Sequence, residues 1–223
     1  NAYYCLECGK CAALCPVSRE TADFSPISSV EKALRGGFEM KKDESIWACL
    51  TCCLCSDRCP SGVRYSEFIR GVRSEALASG GEGNCAHGGL MLSVARMMTD
   101  HSIKQRRLKW TDGLRFSDKG KILYFTGCIP YFGNIFREIG FETPFQNIGA
   151  GTVDIARATL RVLNKAGMEP VVMKDERCCG HDALWIGDTE TFKKLAKMNI
   201  SLIKKSGAEK VLMSCPECYR TFK

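Results

Sequence analysis

The chain has 223 residues, a formal net charge of +7 at pH 7 and 15 cysteines. This length allows one large or two small domains, and a hydrophobic content of 45% is enough for a core. No stretch is long and apolar enough to cross a bilayer, and no leader precedes the first cysteines. We therefore expect a soluble cytoplasmic protein that reaches a membrane only through partners. The chain begins at Asn1 without methionine and ends at Lys223, just after a cysteine pair, so we expect a fragment.

Two segments carry four cysteines each at the same offsets. They are Cys5, Cys8, Cys11 and Cys15 before Pro16, and Cys49, Cys52, Cys55 and Cys59 before Pro60. Both read C-x2-C-x2-C-x3-C-P, which is typical of bacterial ferredoxins, where three cysteines bind one [4Fe-4S] cluster and the fourth binds the other. This predicts two clusters, one held by Cys5, Cys8, Cys11 and Cys59 and the other by Cys49, Cys52, Cys55 and Cys15. Two zinc sites are the alternative, but zinc motifs pair two cysteines with a distant second pair.

The positive charge does not by itself indicate nucleic-acid binding. Each oxidised, thiolate-bound four-iron cluster carries about two negative charges, so two clusters offset most of the excess. The densest basic run, residues 104–109, lacks the interleaved aromatic side chains that stack on bases. We expect this run to be a solvated face or a partner's docking patch, and we expect no nucleic-acid partner.

The first hundred residues contain helical patterns and few β-branched runs. Capping residues, proline and glycine stops, and apolar spacing predict helices over 25–36, 65–79 and 87–99. We take the methionines of the third helix as core residues. The sequence thus predicts an all-helical two-cluster ferredoxin domain over 1–85 and a helical connection over 86–119.

Two cysteines fit neither predicted cluster. Cys53 lies between two predicted ligands, and Cys85 lies in a glycine-rich loop. For both we expect an ordinary buried or surface thiol, with ligation as the less favoured alternative.

From residue 120 onward the pattern alternates between strands and helices. Strands are predicted at 121–125, 170–173 and 210–213, and helices at 151–166 and 189–206. One face of the first helix carries Val153, Ala156, Leu160 and Leu163. The alternation predicts a β/α domain over 120–223 with a mainly parallel sheet. The complete fold is thus α + α/β, with the helical ferredoxin domain first.

Cysteines follow each of the three predicted strands. Because parallel strands end at the same edge of a sheet, five sulfurs should gather there. They belong to Cys128, Cys178, Cys179, Cys215 and Cys218. Five thiols in one place, beside two electron-transfer clusters, favour a third iron-sulfur centre. A redox-active dithiol or disulfide among them is the alternative.

Three other features near these cysteines have weaker functional interpretations. His181 could donate a proton to a departing thiolate, although a structural hydrogen bond is favoured. Lys174 and Arg177 could attract an anionic substrate, although solvated charges are the simpler expectation. The segment 149–151 is similar to a dinucleotide-binding loop, but Asp154 replaces the third glycine and no clear strand precedes it, so nucleotide binding is not expected.

The order Cys128, Cys178-Cys179-Gly180, Cys215-x-x-Cys218 resembles the cysteine-rich CCG domain of heterodisulfide reductases and related iron-sulfur oxidoreductases. The preceding two-cluster domain resembles the electron-delivery subunit of that family, so the chain resembles a fusion of the two. The resemblance implies a noncubane [4Fe-4S] cluster that is held by the five cysteines and lies next to a disulfide substrate. The family's catalytic subunit carries two such motifs, whereas this chain shows one. Either a second follows Lys223, or this member does different chemistry.

By this resemblance the chain is an electron-transferring oxidoreductase subunit within a larger hetero-oligomer. A flavin, hydrogenase or formate dehydrogenase partner would supply electrons, which pass through both cubanes to the cysteine-rich centre and reduce a small disulfide to thiols. The catalytic set would be Cys128, Cys178, Cys179, Cys215, Cys218 and His181. The alternatives are an iron-sulfur subunit that passes electrons from lactate, glycolate or glycerol-3-phosphate dehydrogenase to quinone, a pure electron relay, and, on charge alone, a nucleic-acid-binding zinc protein.

Overall fold

The computed structural model describes residues 2–37, 39, 43–81, 83, 86–103, 105, 107–130 and 151–223. The chain divides into two compact units. Unit 1 comprises Asn1–Ser93 and Asp182–Thr189, and unit 2 comprises Val94–His181 and Glu190–Lys223. The domain limits expected from the sequence stay a prediction.

Among the described residues up to Met97, every regular element is a helix. The α-helices are Lys10–Leu14, Pro16–Glu20, Pro26–Leu34, Ser45–Ala48, Leu54–Asp57, Tyr65–Ala78 and Leu90–Met97, and the 3-10 helices are Ala2–Tyr4 and Ala86–Gly89. Helices were expected at three of these places, over 25–36, 65–79 and 87–99, and all three are confirmed. Nowhere in the described part of the chain is a helix long and apolar enough to cross a bilayer.

The core of unit 1 is built around the cysteine motifs. Its buried residues include Phe24, Val30, Ile46, Tyr65, Ile69, Val72 and Ala76. Cys5, Cys15, Cys49 and Cys55 pack against them. Because the helices carrying the motifs have only four or five residues, they cannot be stable alone and depend on this packing. The cysteine sites and the core of unit 1 are therefore one structure.

Unit 2 contains a parallel pair of strands, β1 (Ile122–Phe125) and β2 (Lys210–Met213), in which Leu123 pairs with Val211. The remaining elements are the 3-10 helix Arg107–Thr111 and the α-helices Thr152–Lys165, His181–Ile186, Thr189–Ser206 and Pro216–Phe222. The helix His181–Ile186 continues from unit 2 into the segment assigned to unit 1. The expected strands 121–125 and 210–213 are confirmed.

The expected third strand, 170–173, is wrong in its extent. Only Val171 pairs, as isolated parallel bridges to Leu123 and Ser117. Its N–H donates to Ile122 O at 2.8 Å, and its carbonyl accepts from Tyr124 N at 2.9 Å. On the other side of the chain, Pro170 O accepts from Ser117 N at 3.1 Å and Val172 N donates to Ser117 O at 3.2 Å. The direction of the chain is nonetheless parallel, as predicted.

The helix Thr152–Lys165 covers the strands with the apolar face expected from its sequence. Val153, Ala156, Leu160 and Leu163 are all buried and share a cluster with Trp110, Tyr124 and Val172. Trp110 belongs to the expected connection over 86–119, so this connection also contributes to the core of unit 2.

Candidate functional site

The two cysteine motifs have the same backbone conformation. The residue before the second cysteine has a positive φ in both, 52° at Glu7 and 51° at Thr51, and so does the residue after it, 72° at Gly9 and 65° at Cys53. Residues other than glycine seldom adopt this region, so its recurrence at matched offsets marks one shared turn. In each motif a short helix then begins one residue before the third cysteine. The sequence repeat is therefore also a structural repeat.

Each motif exchanges its fourth cysteine with the other. A first cavity is lined by Cys5, Cys8, Cys11 and Cys59, and a second cavity by Cys15, Cys49, Cys52 and Cys55; Cys55 also borders the first. These linings contain the two crossed sets of four expected from the spacing. The roles of these cysteines as cluster ligands stay a prediction.

Backbone hydrogen bonds to these sulfurs favour the thiolate, whereas burial favours the thiol and raises the net pKa of Cys49 and Cys55. Thr51 N donates to Cys49 Sγ at 3.3 Å, and Val63 N donates to Cys59 Sγ at 3.3 Å. Burial raises the pKa of Cys59, but hydrogen bonds from Ser61 and Val63 outweigh it and the net shift is downward. Burial, with Cys49 nearby, raises the pKa of Cys55 to about 12. Metal binding would displace the proton of Cys55.

The donor chemistry of both cavities fits an iron-sulfur cluster. Each is lined by five cysteines, which include the four expected as the ligand set of a [4Fe-4S] cluster. Within the described ranges, no three His, Cys, Asp or Glu side chains are grouped around a single metal-ion position. In a cubane each thiolate binds a different iron, so its four cysteines need not surround a single metal-ion position. The cysteines that line one cavity are therefore the relevant set.

Cys53, which fits neither set, borders the second cavity. Its half-buried thiol donates to Ser66 Oγ at 3.3 Å. Cys85 lies outside the described residues.

Arg73 anchors the backbone beside the second cavity. Its guanidinium donates to the carbonyls of Ile46, Trp47 and Cys49 at 2.8, 3.1 and 2.7 Å, and to Trp185 O at 2.9 Å. The side chain is buried. A buried guanidinium is stable only when its donors are paired, and here carbonyls supply the partners. Arg73 thus holds the start of the second motif.

Replacing Arg73 with methionine should destabilise this cysteine loop. We expect Arg73→Met to lower the free energy of unfolding by about 3 kcal/mol or more, because four carbonyls, one buried and three part-buried, lose a charged donor. The second cluster should also be lost faster in the presence of an iron chelator. Arg70→Met, at a half-buried arginine stacked over the Trp185 ring, is the matched control and should cost about 1 kcal/mol or less. The rate of cluster loss in the presence of the chelator is followed by visible absorption for both variants. Equal rates for Arg73→Met and Arg70→Met would contradict the prediction.

In unit 2 the structure brings the five expected sulfurs together. Each of these thiols affects the pKa of the next in the order Cys128, Cys178, Cys179, Cys218, Cys215, so the five sulfurs are close neighbours. Each follows β1, Val171 or β2, whose parallel directions place their carboxyl ends at one edge. The convergence predicted from the sequence is present, and the roles of these cysteines as ligands stay a prediction.

The pKa values of the five thiols shift in different directions. A hydrogen bond with Cys178 raises the pKa of Cys128, and bonds with Cys179 and Cys215 raise that of Cys218. The pKa of Cys179 is also raised, chiefly by Cys178. The side chains of Cys128 and Cys179 lower the pKa of Cys178 well below its usual value, and the Cys218 side chain lowers that of Cys215 to about 6. Cys178 and Cys215 are thus the two thiols of this set whose surroundings favour the thiolate, the form that binds iron.

Gly127 allows the sulfurs to approach β1 closely. Its φ is +63°, and a Cβ at this position would lie 2.9 Å from Cys218 Sγ. A side chain here would displace that sulfur, so the glycine is required by the packing of the site.

A buried ion pair supports the loops that carry these cysteines. Arg107 and Glu176 are 1% and 0% exposed, and Arg107 Nη2 lies 3.1 Å from Glu176 Oε1. That oxygen also accepts from Thr126 N and Gly127 N, at 3.0 and 2.6 Å. The pair thus joins the loop before Cys128 to the loop before Cys178. Burial raises the pKa of Glu176 to about 7, although Arg107 opposes the shift.

The interpretation of 104–109 as a solvated face is wrong at Arg107. The guanidinium donates to Gln105 Oε1 and to Glu176 O, each at 2.7 Å, and contacts Gly127 O. It lies close enough to Cys128 and Cys178 for those sulfurs to affect its pKa. The solvated assignment of Arg177 is also wrong, since that residue is 5% exposed and donates to Asp100 O. Lys174 is exposed, as expected.

Two residues that the sequence analysis missed hold the CCG turn. Asn199 accepts from Arg177 N at 2.9 Å and donates to Cys178 O at 3.0 Å. Cys178 N donates to Met98 Sδ at 3.2 Å. Asn199 lies four residues after Leu195 on the buried face of the helix Thr189–Ser206. A polar residue at a core position of an amphipathic helix is the signal that could have revealed it.

The remaining candidates near the site have structural contacts. His181 Nδ1 lies 3.2 Å from Thr221 Oγ1, which agrees with the favoured structural hydrogen bond. Asp154 Oδ2 accepts from Gly151 N at 2.9 Å, capping the helix Thr152–Lys165. Residues 149 and 150 of the glycine segment lie outside the described residues. Asp154 therefore has a structural explanation at the position where a nucleotide loop would need glycine.

Two ranges of the chain match known protein domains. Residues 1–63 match the 4Fe-4S dicluster domain, and residues 122–223 match the CCG cysteine-rich domain. The chain thus shares two domains with iron-sulfur proteins of the heterodisulfide reductase type, which it resembles. The eight cysteines of the two motifs lie within the first matched range, and the five cysteines of unit 2 lie within the second.

Curated relatives extend the match to nearly the whole chain. One subunit of the dihydromethanophenazine:CoB–CoM heterodisulfide reductase of Methanosarcina acetivorans is 27% identical over 98% of this chain and 56% of its own length. One subunit of the fumarate reductase (CoM/CoB) of Methanothermobacter marburgensis is 24% identical over 98% and 42%. One subunit of the H2/formate:CoB-CoM heterodisulfide,ferredoxin reductase of Methanococcus maripaludis is 32% identical over 44% and 52%.

The chain spans about half the length of the curated relatives it matches. No solved structure is significantly similar to it.

Proposed function

We propose that the chain is an electron-delivering subunit that reduces a small disulfide at the five-sulfur site of unit 2. The single observation that carries this proposal is the linked set Cys128, Cys178, Cys179, Cys218 and Cys215 at the edge of a parallel sheet. In a chain with a dicluster domain, such a set suits a terminal reaction centre better than a third relay.

Unit 1, in this proposal, is an all-helical two-cluster ferredoxin domain. Cys5, Cys8, Cys11 and Cys59 hold the cluster of the first cavity, and Cys15, Cys49, Cys52 and Cys55 hold that of the second. The crossed lining of the two cavities supports this assignment. The five cysteines of unit 2 hold a noncubane [4Fe-4S] cluster, as the resemblance to the CCG family implies. When bound, the three groups supply one-electron chemistry that no side chain of the chain can supply.

The protein's own residues would position the reaction and manage its protons. The disulfide takes up two electrons and two protons, its S–S bond breaks, and two thiols leave. Arg107 provides a fixed positive charge near Cys128 and Cys178, which favours negative charge at this site. His181, oriented through Thr221, would donate one of the protons to a departing thiolate.

The electrons would come from a partner subunit. Relatives of the chain are named as subunits of reductases, which supports a hetero-oligomer. By the family resemblance, the donor would carry a flavin or belong to a hydrogenase or formate dehydrogenase. The disulfide or thiol would be a small molecule.

Low-temperature EPR of the intact, anaerobically purified protein tests this function. We expect a paramagnetic signal that appears only when the oxidised protein is given a substrate thiol, and that is absent in Cys178→Ser and Cys179→Ser. Cys53→Ser, at a half-buried thiol outside the five-sulfur set, is the control and should keep the signal. A signal that is indifferent to thiols would contradict a substrate-binding centre and favour a pure relay.

A second assay separates disulfide reduction from electron transfer to quinone. One relative is named EtfAB:quinone oxidoreductase and is 21% identical over 92% of this chain. With one reductant and the purified complex, we expect consumption of a disulfide but not of a soluble quinone. Quinone reduction that survives Cys179→Ser would overturn the proposal.

A further inference from the structure

Tyr65 lies between the two cysteine cavities of unit 1. It begins the helix Tyr65–Ala78, is 2% exposed, and borders both cavities together with Pro26 and Cys55. The aromatic side chain thus lies where a group in either cavity would be its neighbour. No motif marks it, because the dicluster match ends at residue 63.

The phenol hydroxyl of Tyr65 is buried and, among the described residues, has no hydrogen-bond partner. Ser29 lies beside it, and its hydroxyl donates to Ser25 O at 3.0 Å. The Ser29 oxygen could still accept a hydrogen bond, but the Tyr65 hydroxyl makes none to it. Burying a hydroxyl without a partner costs about 1–3 kcal/mol, and buried tyrosines almost always have one. The site therefore contains a donor in need of an acceptor.

The cysteine sulfurs near the hydroxyl indicate which cavity it faces. Burial raises the pKa of Tyr65, Ser29 opposes the shift, and the sulfurs of Cys49 and Cys55 raise it further. Cys55 borders both cavities, whereas Cys49 lines the second and not the first, and Ser66, next to Tyr65 in the chain, also borders only the second of the two. An ordinary phenol is protonated at neutral pH, so the buried hydroxyl of Tyr65 is a donor beside the second cavity.

We propose that the Tyr65 hydroxyl donates a hydrogen bond to a sulfur of the cluster held by Cys15, Cys49, Cys52 and Cys55 and so raises that cluster's reduction potential. This inference rests on the ligand sets of the proposed function. A hydrogen bond to cluster sulfur stabilises the more negative, reduced state. Tyr65 is thus a tuning residue that favours an electron on the second cluster.

Tyr65→Phe removes only the hydroxyl and keeps the ring. In an EPR-monitored redox titration, we expect the midpoint potential of the second cluster to become more negative while that of the first is unchanged. Iron content should equal that of the wild type. Pulsed ENDOR of the reduced protein exchanged into D2O should show the loss of one deuteron coupling. The signal that disappears in Cys15→Ala identifies the second cluster.

Ser29→Ala is the control for a neutral acceptor. If the phenol bonds to the cluster, this variant leaves both potentials unchanged, whereas a shift equal to that of Tyr65→Phe would overturn the inference. Unchanged potentials in Tyr65→Phe, or an equal shift of both clusters, would also overturn it. A wild-type protein without two [4Fe-4S] signals would overturn the proposed ligand sets and this inference together, so the two failures are distinguishable.

Discussion

Cys15→Ala is expected to remove the cluster of the second motif, although Cys15 belongs to the first. The reason is the exchange of fourth cysteines, by which Cys15 lines the cavity of Cys49, Cys52 and Cys55. We expect the variant to lose about four irons per chain and one of the two cubane EPR signals. Iron and acid-labile sulfide analysis with EPR measures both.

The reciprocal variant and a neighbouring cysteine provide the controls. Cys59→Ala should lose the other cubane signal, because Cys59 lines the cavity of Cys5, Cys8 and Cys11. Cys53→Ala should lose neither. In an uncrossed arrangement each motif would hold its own cluster, so Cys15→Ala would remove the cluster of the first motif and Cys59→Ala that of the second. That result would contradict the assignment of ligands.

Arg107→Met is expected to be the most destabilising substitution of a charged residue in unit 2. It would leave the carboxylate of Glu176, which is 0% exposed, without its countercharge. Breaking a buried ion pair from one side costs about 3–5 kcal/mol. Calorimetry at matched iron content should show a large fall in Tm, with preferential loss of iron from unit 2.

Two variants separate loss of the ion pair from a general effect of charge removal. Arg107→Met combined with Glu176→Leu should recover part of the stability, because no unpaired charge remains buried. Arg115→Met is the surface control, since Arg115 pairs with Glu169 while 61% exposed, and should cost about 1 kcal/mol or less. A double variant no better than Arg107→Met would contradict the role of the pair.

The sequence predicted best those parts of the molecule that follow from local spacing. The offsets of the two motifs determine which cysteines can share a cluster, and the structure lines each cavity with the expected four. The face of Val153, Ala156, Leu160 and Leu163 could be identified because helical periodicity is local. The meeting of five sulfurs needed only the added rule that parallel strands end at one edge.

The supporting residues could not be predicted because their partners are distant in sequence. Arg107 lies in a basic run that looks solvated, and its burial depends on Glu176, 69 residues later. Asn199 is 21 residues from the carbonyl of Cys178 that it binds. Tertiary contacts, not local patterns, determine such pairings. The expected third strand was too long, because Val171 is the one residue of 170–173 that pairs with β1.

The central claim is that the five sulfurs at the sheet edge hold an iron-sulfur centre in addition to the two cubanes. Iron and acid-labile sulfide counted per chain, in anaerobically purified wild type and in Cys178→Ala with Cys179→Ala, test it most directly. We predict about twelve irons in the wild type and about eight in the double variant, since each centre holds four. Eight irons in both proteins would contradict the third centre.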